Sequence, residues 1–455
     1  MYRLSQIIVE ILAKLYLWRF RPQIIGITGN VGKTSTKEAI GLVVGRVKKV
    51  RIGGGNMNNE IGLPFNIISD SADEYYEKGG SFIFGIKSFF KAIFGFFSSD
   101  YPEILVLEYG ADKPEDIKKL VGKYKPHIGV ITAIGDVPVH VEFFSGPEGV
   151  AREKSRLVEA LSASDFAVLN FDDLAVLEMK EKTKAKVLTY GFGEGANIKI
   201  SNFQFLTRLS DGQVSNEKPE GVSFKMNYND TLHGGGQGFV PFKLEGSLGK
   251  SQGYAAAAAA AVGIVFGLNL VDISEAFSEY HGPKGRLKIL KGIKNSTIID
   301  DTYNASPLST HLALETLRDL PGSRKIAVLG DMLELGEYTI KAHQNVGNMA
   351  GSFVDLLVCV GSRAKFIADS ARRSLGEGGS ERIFMFETSD EAKLKVKELV
   401  KDPPAGEAGG DLILVKGSQG MRMEKIVEEI MADPPAGGEK KKELLVRQSK
   451  KWLLK

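Results

Sequence analysis

The chain has 455 residues, with 59 Lys and Arg against 56 Asp and Glu, so its formal charge is +3. A balance this near neutral gives no ground for a nucleic-acid partner, which would call for a concentrated basic face, and the length leaves room for about two or three domains with their own cores. Cys359 is the single cysteine, which excludes an intramolecular disulfide framework and a Cys-rich zinc site and fits a reducing cytoplasm.

Residues 1–22 predict an amphipathic helix. Leu4, Ile7, Ile8, Ile11, Leu12, Leu15 and Trp18 fall at helical spacing, with Arg3, Glu10, Lys14 and Arg19 between them. The charges are too frequent for a span, which wants roughly 20 uninterrupted apolar residues. The helix either packs on its own domain or lies at a membrane interface.

A central domain is expected over 23–281. QIIGIT reads as a buried strand, followed by a glycine loop and a helix from about Thr34 to Val44. EILVLEYGAD, HIGVITAIG and DFAVLNFDD repeat the form of an apolar run ending in polar residues. Such runs predict a parallel sheet covered on both faces, with ligands at the carboxyl ends of its strands, where Glu108, Asp136, Asn170 and Asp172 lie. SFIFGIKSFFKAIFGFF, 81–97, holds seven phenylalanines and predicts a core hairpin or a helix lying on something apolar. Residues 196–246 alternate in polarity between Gly, Asn and Ser, which predicts an antiparallel β element added to the sheet. GYAAAAAAAVGIVFGL predicts a close-packed helix of small residues.

HGPKGR, 281–286, has a linker's composition. Past it, 282–432 predicts a second, Rossmann-like α/β domain with strands in STIIDDTYN, KIAVLGDM, LLVCVG and LILVKGS. DPPAGEAGGD (402–411) and DPPAGGEKKK (433–442) are near-duplicates expected to be flexible insertions, and 433–455 a flexible basic tail. The fold class is therefore α/β: a P-loop parallel-sheet domain with an antiparallel addition, then a Rossmann-like domain.

The chemistry begins at GITGNVGKTSTKE, 26–38. Gly26, Gly29 and Gly32 let backbone N–H groups approach a phosphate, and the following helix adds its positive end. Residues Gly29, Asn30, Val31, Gly32, Lys33, Thr34 and Ser35 form the expected nucleotide cradle, with Lys33 on the β/γ-phosphates and the Thr34 hydroxyl on Mg²⁺. Ile27 stands where the strict pattern has glycine, so the match is to the variant T-G-x-x-G-K-T.

The loop's company separates the classes of nucleotide-binding protein. In order come GGGNMNNEIGLP (53–64), LEYGAD (107–112), VHVEFF (139–144), AREKSRLVEAL (151–161), GRLKIL (285–290), DDTYNASP (300–307), AVLGDMLELG (327–336) and LVKGSQGMRME (414–424). This ordered set, from about Ile24 to Val427, resembles the Mur ligases, the ATP-dependent amide-forming enzymes of bacterial cell-wall synthesis. NMNNEIGLP, DDTYNASP, GDMLELG and VKGSQGMRME resemble the branch that adds D-alanyl-D-alanine to a UDP-muramyl-tripeptide.

The resemblance implies ATP and two Mg²⁺ ions, an acyl-phosphate intermediate, and Lys33, His140 and Lys154 as catalytic residues. Thr34 and Glu108 would hold the first ion and His140 the second, with Lys154 carbamylated as a further ligand. Arg286, Asp301, Tyr303 and Asn304 would meet the nucleotide from the second domain. Asn58 and Asn59 would face the muramyl peptide, and Lys416 and Ser418 the incoming amine. The sequence departs from the family at Ala133, in place of an Asn, at Arg156, in place of an acid, and at Gln419, in place of an Arg. It also has only 23 residues before Ile24, where the family carries a UDP-binding domain. Residues 1–20 and 81–97 would then offer a membrane-facing or protein-facing patch on a cytoplasmic monomer. Other acid and amine pairs, as in folylpolyglutamate-type ligases, and a non-catalytic nucleotide-binding scaffold remain open alternatives.

Overall fold

Apolar runs that end in polar loops form the strands of two sheets, in a computed structural model that describes residues 2–54, 57–70, 94–209, 217–229, 236–322, 324–375, 379–403, 410–434, 440–449 and 452. The first sheet contains β1 (Gln23–Thr28), β2 (Val50–Ile52), β3 (Ile104–Glu108), β4 (Ile128–Ile131), β5 (Phe166–Asn170), β6 (Lys186–Gly191), β7 (Ile198–Leu209), β8 (Glu217–Asn229) and β9 (Gly236–Glu245). Their spatial order is β2-β3-β1-β4-β5-β6-β7-β8-β9. Pairing is parallel as far as β7 and antiparallel through β8 and β9. Every residue of β3 and β4 is buried, because helices cover both faces and an alternating pattern would bury polar groups. The sequence does not announce β2, three residues long and half-exposed, or β6, which follows the charged segment EMKEKTKAK.

Seven helices matter for the site: α1 (Tyr2–Phe20), α2 (Lys33–Val44), α3 (Gly62–Ile68), α4 (Gly146–Glu159), α5 (Lys250–Val265), α6 (Pro307–Asp319) and α7 (Thr339–Gly351). Ala255 through Ala261 on α5 are all buried. Their small side chains let α2 pack closely, and a Cβ on Gly263 would come within 2.7 Å of Val43 Cγ1.

α1 is amphipathic and packs on α3. Its inner face buries Ala13 and Tyr16, while Ile7, Ile11, Leu15 and Trp18 stay exposed, Trp18 at 70%. Residues 81–93 of the Phe-rich segment lie outside the described residues. Its end, 94–97, is helical: Phe96 packs edge-on to Tyr16, with ring centroids 5.6 Å apart, whereas Phe94 and Phe97 are exposed. Among the described residues no helix is long and apolar enough to cross a membrane.

The second sheet runs β10 (Lys288–Lys291), β11 (Thr297–Asp301), β15 (Leu412–Lys416), β12 (Lys325–Gly330), β13 (Leu356–Val360) and β14 (Ile383–Phe386) in spatial order. Only β10 is antiparallel to its neighbour. The domains meet through backbone bonds, Leu248 N to Leu287 O and Ile289 N to Gly246 O, each 3.0 Å. Leu314 and Leu317 of α6 share one apolar cluster with the α5 alanines, so the core is continuous across the boundary.

The expected flexible tail is a correction. Residues 404–409 and 435–439 lie outside the described residues, but 440–449 dock on the second domain, burying Leu445 and Val446. The reason is electrostatic. The Glu424 carboxylate, 1% exposed, takes Arg422 at 2.6 Å and Arg447 at 2.8 Å. Arg447 also donates to the carbonyls of Thr302 and Tyr303. Removing one partner of such a network strands buried charge, at a cost of about 3–5 kcal/mol. Arg447→Ala, which removes the tail's own partner, should therefore lower unfolding stability by about that amount in a denaturant titration; a mobile tail would leave the midpoint unchanged.

Candidate active site

The sheet order puts β1 between β3 and β4, with Ile27 in register with Glu108 and Thr28 with Ile131. The P-loop thus leaves the sheet beside Glu108 on one side and Thr132 and Ala133 on the other, at a point where strand order reverses and ligands gather. Gly29 (φ 141°) and Gly32 (φ 91°) adopt backbone conformations that L-residues rarely take. A Cβ on Gly29 would also lie 1.9 Å from Thr132 Oγ1.

Not every loop N–H is free for a phosphate. Asn30 N and Val31 N both donate to Ala133 O, at 2.7 and 3.1 Å. Ala133, the departure from the family pattern, therefore tethers the loop by its backbone. Thr36 N is the first amide of α2 to bond back, to Gly32 O at 2.9 Å. The N–H groups of Lys33, Thr34 and Ser35 have no partner within the helix and carry its positive end. The side-chain Nδ2 of Asn30 is buried and donates to nothing.

Two lysines converge on one carbonyl. Lys33 Nζ donates to Gly29 O at 2.8 Å and Lys154 Nζ, from α4, to the same oxygen at 3.1 Å. Burial, and then the Lys33 charge, push the Lys154 amine well below the usual lysine range. Lys33 is lowered as well, by burial, against the pull of Glu108. An anion between them would relieve both.

Glu108 is buried and pairs with Lys37 Nζ at 3.2 Å. Lys37 in turn donates to Gly53 O at 2.6 Å. Lys37 stands in the loop's own motif, but nothing in the sequence marks it as the partner of Glu108. Glu108 Oε1 is the oxygen that faces Lys37 and accepts no further hydrogen bond, so it and the half-buried Thr34 hydroxyl are the hard oxygens on offer here. Oxygen donors of this kind suit Mg²⁺, and these residues fit the ion that the motifs imply.

His140 sits at φ 67°, capping the turn Val141–Phe143. Its Nδ1 lies 2.8 Å from Glu334 Oε2 of the second domain and its Nε2 lies 3.7 Å from Asp112 Oδ1. Both acids belong to motifs visible in the sequence, LEYGAD and GDMLELG, but nothing there paired them with His140. Arg286 stacks on Tyr303, with Cζ 4.0 Å from the ring centroid, and its Nε donates to nothing. Its charge helps to depress both Lys33 and Lys416, so it faces the P-loop from across the boundary.

The remaining expected residues are more committed. Lys416 is buried against Asp301 Oδ2 at 2.5 Å and also donates to Asn304 O at 3.0 Å. Asp301 Oδ1 accepts from Leu287 N. Ser418 Oγ accepts from Leu333 N at 2.9 Å, and Asn304 Oδ1 takes the N–H groups of Ala305 and Gln419. These groups fasten the second-domain loops to one another, and Lys416 and Ser418 do not reach open solvent. Asn59 caps its own turn through Ile61 N and Gly62 N, while the Asn58 side chain packs where a Cβ on Gly110 would fall. Asp172 accepts from Phe192 N, Gly193 N and the Tyr254 hydroxyl, and Asn170 from Asp172 N. Asp136 lines the cleft.

That cleft, about 1000 Å³, opens from Val31, Gly32 and Thr36 between the two domains. Tyr254 and Ser251 of α5 wall one side, and Leu308 and His311 of α6 and Lys341 of α7 the other. Asp301, Tyr303 and Asn304 stand outside its lining, and the walls it does have were not legible as a set.

Family models match two stretches: the Mur ligase middle domain over 90–229 and the Mur ligase glutamate ligase domain over 285–419. UDP-N-acetylmuramoyl-tripeptide–D-alanyl-D-alanine ligase of Bacillus subtilis (strain 168) is 29% identical over 422 residues, covering 92% of this chain and 78% of the relative. Two solved structures share the fold. MurF from Acinetobacter baumannii superposes with a TM-score of 0.71 at 24% identity, covering 93% of this chain and 79% of that one. MurF from Thermotoga maritima in complex with ADP gives 0.70 at 24% identity, covering 93% and 83%. With the P-loop, the lysine pair and the two-domain cleft in the order that the motifs require, the chain belongs to the Mur ligase family.

Proposed function

We propose that this chain is an ATP-dependent, ADP-forming ligase that joins D-alanyl-D-alanine to UDP-N-acetylmuramoyl-tripeptide. The observation that carries the reading is the meeting of Lys33 and Lys154 on Gly29 O, beside Glu108 and facing Arg286. A scaffold would have no need of two depressed lysines aimed at one phosphate loop. The substrate follows from the relatives' names, 26–29% identical over most of the chain.

The tripeptide carboxylate attacks the γ-phosphorus of ATP, ADP leaves, and an acyl phosphate forms. The D-alanyl-D-alanine amine then attacks the acyl carbon, its proton passes to a base, and phosphate leaves. The first step brings two anions together. Lys33 and the open amides of α2 bind the β/γ-phosphates, and Arg286 closes on them from the second domain, offsetting that repulsion. The nucleoside end would enter the cleft beside Tyr254 and His311, next to the Asp301–Tyr303–Asn304 loop. Thr34 and Glu108 would hold one Mg²⁺, and His140 with a carbamate on Lys154 a second. When bound, these ions supply charge neutralisation at the transferring phosphoryl group. Holding acyl phosphate and amine together supplies much of the remaining barrier reduction, roughly 7–11 kcal/mol in well-oriented systems. Asn58 would face the peptide.

Lys154 suits carbamylation because its depressed pKa leaves neutral amine to attack CO2. The carbamate would replace a repelling ammonium by an anion beside Lys33. ¹³C-bicarbonate labelling should give one carbamate resonance in the wild type and none in Lys154→Arg. ADP release should require both UDP-muramyl-tripeptide and D-alanyl-D-alanine, and Lys33→Met should lower kcat by about 10²–10³-fold. Turnover with other amines but not this one would overturn the substrate.

We also place the enzyme in the cytoplasm, docked at an anionic lipid surface through α1. Ile7, Ile11, Leu15 and Trp18 form an exposed stripe, and the helix carries Arg3, Lys14 and Arg19 against Glu10, the arrangement of an interfacial helix. The protein should float with phosphatidylglycerol vesicles, less so at high salt, and Ile11→Glu with Trp18→Glu should abolish flotation. Wild-type protein left in the pellet would end the idea.

A further inference from the structure

The contact that the motifs did not pair, His140 with Glu334, crosses the domain boundary. Glu334 sits at φ 63° in the loop after β12, held from both sides: Met332 N donates to His343 Nε2 at 3.0 Å and Leu333 N to Ser418 Oγ at 2.9 Å. The adjoining Leu335 is buried. The carboxylate is therefore presented by a fastened loop. A carboxylate can only accept, so the 2.8 Å contact to Nδ1 puts the imidazole hydrogen on Nδ1. In the neutral ring a metal ligand requires, Nε2 is then the nitrogen with the lone pair, and it lies 3.7 Å from Asp112 Oδ1 of the first domain. A carboxylate behind a histidine's far nitrogen is the arrangement that fixes ring and tautomer for metal ligation.

We propose that Glu334 is a positioning residue. It locks His140 with Nε2 as the ligating atom, and it does so from the second domain, so that closure of the cleft completes the second metal site. The inference rests on His140 being a metal ligand. It assigns Glu334 no contact with substrate. Opening the domains would free the ring to rotate and to change tautomer, and the ion would be held loosely until ATP and the peptide bring the halves together.

The test is carried out on the full chain with a non-hydrolysable ATP analogue and UDP-muramyl-tripeptide. Bound Mn²⁺ is counted by electron paramagnetic resonance, and histidine ring tautomers are read by ¹⁵N resonances, His140 being assigned from its loss in His140→Asn. In the wild type His140 should show the Nδ1–H form. Glu334→Ala should lose that signature and weaken the second Mn²⁺ by about 10–100-fold. Glu334→Gln, whose amide oxygen still accepts from Nδ1–H, should retain the tautomer and most of the affinity. If His140→Asn removes the second Mn²⁺ while Glu334→Ala leaves tautomer and affinity unchanged, the positioning role is wrong. If His140→Asn itself leaves both Mn²⁺ ions bound, the ligand assignment beneath it is wrong. Equal loss in Glu334→Ala and Glu334→Gln would also overturn the proposal, because it would trace the effect to something other than the hydrogen bond.

Discussion

One carbonyl oxygen organises this molecule. Gly29 O accepts from two lysines on different helices, and burying two amines at one point lowers the pKa of both until an anion arrives. The dipole that this oxygen contributes is small beside the two charges. The loop is therefore built incomplete, and its remaining features make sense as ways to keep it open. Ala133 ties down the amides of Asn30 and Val31 and so fixes the loop's path. Lys37 holds Glu108 in place through Oε1, at 3.2 Å. The anion that fits this geometry comes with its own cations.

The second constraint is that half of the chemistry arrives on a separate sheet. Arg286, stacked on Tyr303, could serve a phosphate only if the second domain is carried to the first by something stiff. Backbone bonds on either side of the linker and the shared apolar cluster between α5 and α6 supply that stiffness. Hydrophobic burial is indifferent to direction, so the register of the two halves is set by polar contacts such as His140 with Glu334. Domain closure of this type excludes water and completes a site in one motion.

Much of the fold was legible because parallel strands buried on both faces cannot hide. The runs at Ile24, Ile104, Ile128 and Phe166 became strands, and the alternating stretch past Asn197 became the antiparallel extension. β2 and β6 escaped because one is too short and the other follows a charged stretch. The docked tail escaped because its anchors, Arg447 and Glu424, lie 23 residues apart and reveal themselves only in space. For the site, the strand–loop–helix pattern pointed to the loop, and the family resemblance pointed to Glu108 and Lys154, which the fold brings beside it. Tertiary pairing was not legible: Lys416 with Asp301, His140 with Glu334, and the walls of the cleft at Tyr254 and His311 depend on how the sheets sit together.

The alanine run of α5 has a consequence for how the protein can vary. Methyl groups offer no rotamers, so a displacement of α5 leaves α2, whose first amides lie at Lys33, no side-chain adjustment to absorb it. A substitution of Ala257 by valine, remote from any ligand, would be felt as misaimed hydrogen-bond donors rather than as lost stability alone. The dullest stretch of the sequence thereby acts as the gauge block that sets the height of the phosphate cradle.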